Sequence, residues 1–134
     1  MEQATSLEQQ NRLDEAVELL EKGIDADPEF AQAHIRLGYL QLKRDDNSAA
    51  LRSFEAALLL KPDSPAAKTG KGVAMAGKGD LKGAEVILKE ALALNPNPVR
   101  THYELGIVYQ KLGFFTKAIA EYKEGIKQFK QGRP

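Results

Sequence analysis

A glycine-rich stretch is the part of the sequence closest to a known chemical motif. Residues 72–79 read GVAMAGKG, which approaches the pattern G-x-x-x-x-G-K-[ST] of loops that cradle phosphates with backbone N–H groups. Gly79 stands where that pattern needs a hydroxyl for Mg²⁺, and no strand pattern precedes the stretch. The sequence therefore predicts no nucleotide site here, and no cofactor is expected.

Composition excludes several other classes of chemistry. The 134 residues include no Cys, so thiol nucleophiles and Cys-ligated metals are excluded. Nineteen basic residues balance nineteen acidic ones and 43% of residues are apolar, which favours a folded core over disorder. No apolar run approaches the roughly 20 residues of a membrane span, and MEQATSLEQQ has no signal-peptide core. Direct membrane insertion is not expected, and a cytoplasmic location is the default expectation.

A 34-residue period organises the whole chain. Taking Ala31 as position 1, the same residue types recur at the same positions of successive units. The clearest recurrences are Pro28, Pro62 and Pro96, and Ala16, Ala50, Ala84 and Ala118. Position 8 is Gly38, Gly72 and Gly106, and position 24 is Phe54, Leu88 and Tyr122. Because two helices approach closely only where side chains are small, the large residues are expected to fill the space beside the small ones.

This pattern resembles the tetratricopeptide repeat, a 34-residue helix–turn–helix unit. Residues 34–62 and 102–126 match its signature well, and the resemblance covers nearly the whole chain. It implies an all-α fold, a right-handed superhelical stack of antiparallel helix pairs with seven helices in about three and a half repeats. The single domain 1–134 then divides into a truncated first repeat (1–30) and complete repeats at 31–64, 65–98 and 99–132.

Local signals place the ends of these helices. Ser64-Pro65 and Asn97-Pro98 each offer a capping residue followed by proline at the first helical position. Position 18 carries Asp14, Ser48 and Thr116, each suited to cap a second helix, and the first helix of unit 1 would span only about residues 2–9. Gly79 and Gly113 favour tight turns within the pairs. Gly70, Gly72 and Gly77 share one helix, and since each costs roughly 0.8–1 kcal/mol relative to Ala, helix 66–78 should be the least stable interior helix.

The histidines do not form a metal site in this arrangement. His34 and His102 both occupy position 4, two units apart. With neighbouring helices about 8–10 Å apart, they would lie roughly 20 Å from each other, too far to share a metal. No Ser, His and acid set can be assembled, and the interleaved aromatics and net positive charge of a nucleic-acid site are absent. The sequence predicts neither an enzyme nor a nucleic-acid-binding protein.

The resemblance also implies a binding surface on the concave wall, which the first helix of each pair lines. Positions 2, 5, 9, 12 and 13 face it, and spacings of 3, 4 and 3 keep the last four on one helical face. The candidate site residues are Ile35, Tyr39, Leu42, Lys43, Thr69, Val73, Ala76, Arg100, Tyr103, Ile107, Gln110 and Lys111. They predict an apolar floor with a cationic rim, suited to a peptide or helix of another protein that carries apolar and acidic residues. Alternatively, Tyr39 and Tyr103 only contact neighbouring helices.

The two ends of the array suggest a second hypothesis. Unit 1 lacks most of its first helix, so either the sequence belongs to a longer chain or a partner or second copy supplies the missing surface. At the other end, Ile119, Tyr122, Ile126 and Phe129 form an open apolar flank. Residues 1–30 hold nine acids and two bases, whereas residues 99–134 hold seven bases and three acids.

The sequence is therefore consistent with two functions. The first is a protein-interaction scaffold that binds a partner segment in its concave groove. The second is a structural protein that dimerises or polymerises through its uncapped ends, to which the opposite end charges would contribute long-range attraction.

Overall fold

The described part of the chain is entirely helical. A computed structural model describes residues 2–95 and 98–132, with side chains described from residue 9 onward. Its helices are α1 (Glu2–Ala26), α2 (Ala31–Lys43), α3 (Asn47–Leu60), α4 (Pro65–Gly77), α5 (Leu81–Leu94), α6 (Val99–Leu112) and α7 (Phe115–Gln131). Helices α2–α3, α4–α5 and α6–α7 pack as pairs, and each pair packs on the next. The expected all-α stack of helix pairs is confirmed.

The pairs are held by the packing that the 34-residue period predicts. A Cβ atom at Gly38 would lie 2.7 Å from the Phe54 ring, and one at Gly72 would lie 2.7 Å from Leu88. The same relation holds between Gly106 and Tyr122. Around these contacts lie two clusters of buried apolar residues, one centred on Phe54 and the other on Leu88 and Leu105. The large residue at position 24 therefore occupies the space that the glycine at position 8 leaves open.

The turns inside the pairs share one backbone feature. Asp45, Gly79 and Gly113, all at position 15, adopt positive φ angles of 60°, 94° and 84°. The expected turns at the two glycines are confirmed, and Asp45 makes the same turn without glycine. Asn11 holds this position in unit 1 but lies within α1.

The first unit differs from the expected helix pair. Instead of a short helix at about 2–9 and a second helix capped by Asp14, α1 runs without interruption from Glu2 to Ala26. Position 16, which caps the next helix in units 2 and 3, is Arg12 in this unit, and arginine has no acceptor for a helix N-terminus. A separate short helix would also be marginal on its own. The chain therefore continues as one helix.

The observed caps lie two residues before the predicted ones. Asp46 caps α3 by accepting the Ala49 N–H at 3.2 Å, and Asp80 caps α5 by accepting the Gly83 N–H at 3.0 Å. Ser48 lies inside α3 and Thr116 inside α7, so the capping role expected for position 18 is wrong.

The two Ser/Asn-Pro signals have different outcomes. Ser64 caps α4 by accepting the Ala67 N–H, with Pro65 at the first helical position as expected. Pro98 itself precedes α6, which begins at Val99, whereas Asn97 lies outside the described residues.

Candidate interaction surface

The first helices of the three complete units lie side by side on one face, which we call the inner face. The Tyr39 hydroxyl on α2 donates to the Ala66 carbonyl on α4 at 2.7 Å. Thr69 on α4 and Thr101 on α6 share a buried hydrogen bond of 2.9 Å. The Arg100 guanidinium lies 4.6 Å from the centre of the Tyr39 ring and so reaches from α6 to α2. Residues from three units therefore contribute to one continuous surface.

The predicted site residues on this face differ in how much of each side chain solvent reaches. Exposed residues are Lys43, Arg100, Tyr103, Gln110 and Lys111. Half-buried residues are Tyr39, Leu42, Val73, Ala76 and Ile107. Ile35 and Thr69 are buried, because Ile35 packs into the Phe54 cluster and the Thr69 hydroxyl is bonded to Thr101. The expectation that Ile35 forms part of an exposed floor is therefore wrong, and Thr69 supports the surface from beneath.

The two tyrosines have different surroundings. Tyr39 packs edge-on against Phe54 with ring centres 4.9 Å apart, and burial raises the pKa of its hydroxyl. Its contacts with neighbouring helices are extensive. Tyr103 is 55% exposed, and its ring centre lies 5.9 Å from that of Tyr122. Tyr103 is thus the aromatic side chain that the inner face presents most fully to solvent.

A partly buried carboxylate lies among the cations of unit 4. The Glu104 side chain is 16% exposed, and its Oε1 atom lies 3.9 Å from Nε of Arg100. Burial raises the pKa of Glu104, while the charges of Arg100 and Lys111 act in the opposite direction. Arg100 is therefore partly neutralised, whereas Lys43 and Lys111 carry most of the positive charge of the inner face.

The histidines and the glycine-rich stretch take part in hydrogen bonds and packing within the fold. His34 donates through Nε2 to the Pro28 carbonyl at 2.9 Å, and His102 donates through Nδ1 to the Glu121 carboxylate at 2.7 Å. No cluster of three or more potential metal ligands occurs among the side chains of residues 9–95 and 98–132. Gly72 and Gly77 lie within α4, where an added Cβ atom would contact Leu88 at the first position and Asn47 at the second. The stretch forms a helix rather than a phosphate-binding loop.

A second surface lies at the C-terminal end of the array. A cleft of about 950 Å³ opens between the start of α6 and the end of α7. The predicted apolar flank is exposed here, with Ile119, Ile126 and Phe129 at 54%, 57% and 48%. Two apolar residues of this surface, Val99 and Phe115, were not among those predicted from the sequence. Val99 lines the cleft, and Phe115 is 63% exposed. Phe115 could have been found, because it continues the helical spacing of the flank.

No helix in the described part of the chain is long and apolar enough to cross a membrane.

Comparison with known proteins identifies related sequences along most of the chain. Profiles described as "Tetratricopeptide repeat" match residues 7–73 and 99–130, and one described as "TPR repeat" matches residues 77–113. A curated relative, the TPR repeat-containing thioredoxin TTL4 of Arabidopsis thaliana, is 28% identical over 78 residues. That match covers 58% of this chain and 11% of the relative, so the chain spans about a tenth of that protein's length.

Solved structures share the fold at low sequence identity. PilW, described as a widely conserved type IV pilus biogenesis factor, superposes with a TM-score of 0.81 at 24% identity, covering 98% of this chain and 61% of PilW. MamA (41-end) from Desulfovibrio magneticus RS-1 superposes with a TM-score of 0.79 at 21% identity, covering 97% and 73%. At these identities the similarity establishes a common helical solenoid and nothing narrower.

Proposed function

The chain belongs to the tetratricopeptide repeat family of protein-interaction scaffolds, and we propose that its inner face binds a peptide or helical segment of another protein. The observation that carries this proposal is the continuity of α2, α4 and α6 through Tyr39, Ala66 and Arg100. A continuous surface from three units can hold several successive side chains of one segment. Such binding would rest on side-chain packing and polar interactions and would need no catalytic group.

The character of the inner face indicates the chemistry of the segment. Val73 and Ala76 are half-buried and smaller than the tyrosines on α2 and α6, so we expect a shallow apolar trough between those helices. Lys43 and Lys111 lie exposed at the C-terminal ends of their helices. A segment with apolar side chains toward the trough and acidic side chains toward these lysines would fit best. Next to Glu104 the same segment needs a neutral or basic residue.

We propose a non-enzymatic role. Tetratricopeptide repeat proteins are typically scaffolds, and the described histidines are each engaged by a neighbouring carbonyl or carboxylate. The partner's identity then determines the biological role, since function lives in the site rather than in the fold.

The experiment selects binders from a random peptide library and measures their affinity by fluorescence anisotropy. Lys43→Glu/Lys111→Glu is expected to weaken acidic binders strongly, because it reverses both rim charges. Tyr103→Ala is expected to cost about 2 kcal/mol, the size of a typical hot spot. The matched control is Lys61→Glu/Lys82→Glu, which makes the same charge change at exposed positions off the inner face. Undiminished binding by the Lys43→Glu/Lys111→Glu variant would refute the assignment.

A second candidate function is self-association through the two ends of the array. It is supported by the exposed apolar residues of α7 and by the opposite charges of residues 1–30 and 99–134. Sedimentation velocity distinguishes this function, since the mass should rise with protein concentration and fall with added salt. A constant monomer mass at high concentration and low salt would exclude it.

A further inference from the structure

Helix α7 carries an apolar stripe, most of it exposed to solvent, with the spacing of a helix that pairs with another helix. Its members, which we call the α7 stripe, are Phe115, Ile119, Tyr122, Ile126 and Phe129. They follow each other at intervals of 4, 3, 4 and 3 residues, the a/d spacing of coiled-coil seams. All but the half-buried Tyr122 are about half exposed or more. A row of this length spans about 21 Å at 1.5 Å per residue.

One border of the α7 stripe is buried against α6, and the other is open to solvent. Ala118 and Gly125 lie along one border and are buried against α6. At 100° per residue, Lys123, Lys127 and Lys130 fall along the other border, and all three are exposed. The open border of the stripe therefore presents three lysines.

The cleft between α6 and α7 extends this surface. Val99 and Tyr103 of α6 face Ile126 and Phe129 of α7 across it, and Arg100 adds a cation at the α6 edge. Its volume of about 950 Å³ lies at the upper end of the range of ordinary binding pockets. The cleft thus has apolar walls, with Lys130 at its α7 edge and Arg100, which Glu104 partly neutralises, at its α6 edge.

We propose that the α7 stripe and its cleft bind an amphipathic helix of a different protein, with apolar residues at a/d spacing and acidic residues on its flanks. The apolar row would bury Ile126 and Phe129, and the acidic flanks would meet Lys123, Lys127, Lys130 and Arg100. This surface shares Arg100 and Tyr103 with the inner face, but it extends onto α7, and neither Lys43 nor Lys111 lines the cleft.

Charge and shape favour such a partner over a second copy of this chain. The α7 helix of another copy would bring its own lysines against the same cationic border. Helix α1 is acidic, but Leu19 is the single large apolar side chain that it exposes within residues 9–26. That helix therefore exposes less apolar surface than the stripe would need to be covered. An acidic helix with an apolar row of its own fits the stripe better.

The test uses two synthetic peptides of about 18 residues, labelled with a fluorophore and designed as amphipathic helices. Both carry Leu and Ile at the a and d positions, and their flanking positions are Glu in one and Lys in the other. The full chain is titrated into each, and affinity is read by anisotropy. We expect the Glu peptide to bind at least about tenfold more tightly than the Lys peptide at low salt, since like charges across an interface are penalised.

Matched variants locate the binding. Ile126→Asp should weaken the Glu peptide by about thirtyfold, as expected for a hot-spot residue. Val86→Asp, at 58% exposure on α5 compared with 57% for Ile126, is the control and should leave affinity unchanged. Lys127→Glu/Lys130→Glu should reverse the preference between the two peptides. Circular dichroism confirms that each variant retains its helices.

Three results would overturn the proposal. Equal affinity for the two peptides would remove the role of the lysine border. Loss of binding in Lys43→Glu/Lys111→Glu but not in Ile126→Asp would place the peptide on the inner face instead. A concentration-dependent dimer that Ile126→Asp converts to monomer would show that a second copy occupies the stripe. Failure of the inner-face test alone leaves these readouts unchanged.

Discussion

At the scale of single residues, the most constrained contact is that of the Phe54 ring with two glycines. The ring is fully buried, and its outer atoms contact both Gly38 of its own unit and Gly70 of the next unit. A Cβ atom at either glycine would overlap the ring. The contact with Gly38 agrees with the repeat period, because both residues recur every 34 positions and large residues were expected beside small ones. The contact with Gly70 joins two units, and no periodic position of the sequence reveals it.

Gly70→Ala is expected to destabilise the protein by about 1–2 kcal/mol. Overpacking costs roughly 1–3 kcal/mol, and the better helix propensity of Ala returns up to about 1 kcal/mol. Because Phe54 is fully buried and also contacts Gly38, the ring has little room to move away from the new methyl group. Urea denaturation followed by circular dichroism measures the change in the free energy of unfolding.

Gly23→Ala in α1 is the matched control with the opposite expected sign. An added Cβ at Gly23 has no atom within 4 Å, so only the gain in helix propensity, roughly 0.5–1 kcal/mol, remains. Equal and favourable effects of both substitutions would show that the Phe54 ring is not clamped.

Residue types also set how much of the candidate site could be predicted. Lys43, Tyr103 and Lys111 lie exposed on the inner face, in agreement with the helical spacing of their positions. Ile35 and Thr69 share one position of the repeat but are buried, because one packs under Tyr39 and Phe54 and the other bonds to Thr101. The helical period indicates a direction for each side chain, but only the neighbouring helices determine whether solvent reaches it.

At the scale of helices, the ends were less predictable than the bodies. The 34-residue period places the helix pairs correctly. The expected capping position, however, is position 18, and Ser48 at that position is the second residue of α3. The aspartates that cap, Asp46 and Asp80, follow directly on the positive-φ residue of the turn. Since Asp, Ser and Thr all cap helices, residue type alone could not distinguish position 16 from position 18.

Asp46→Ala is expected to lower the free energy of unfolding by about 1 kcal/mol, because the Ala49 N–H loses its acceptor. Ser48→Ala, two residues away on the exposed surface of the same helix, is expected to be neutral or slightly stabilising. Thermal and urea denaturation of the two variants under identical conditions measure the difference. A larger loss for Ser48→Ala would mean that the helix begins later than described.

At the scale of the whole molecule, α4 is the element through which the array is connected. Among the described helices, α4 packs against α2, α3, α5 and α6, whereas α1 packs against α2 alone. The three glycines that make α4 intrinsically weak are the positions that receive Phe54, Leu88 and Asn47 from neighbouring helices. Composition and packing thus lead to opposite expectations for the stability of this helix. Composition alone could not decide between them. It includes the low helix propensity of glycine but not the close packing that glycine permits.

Native-state amide hydrogen exchange measures which expectation holds. We expect packing to prevail, because opening α4 exposes parts of both buried clusters at once, so its central amides should exchange only with global unfolding. Amides in the first turn of α1 should exchange fastest, since helix ends fray at little cost in free energy. Helix α5, of similar length but with one glycine, is the internal control. If the amides of α4 exchange well before those of α5, the free-energy cost of the three glycines exceeds the stabilisation that packing gives α4. The array would then open first at its central helix rather than at its N-terminal end.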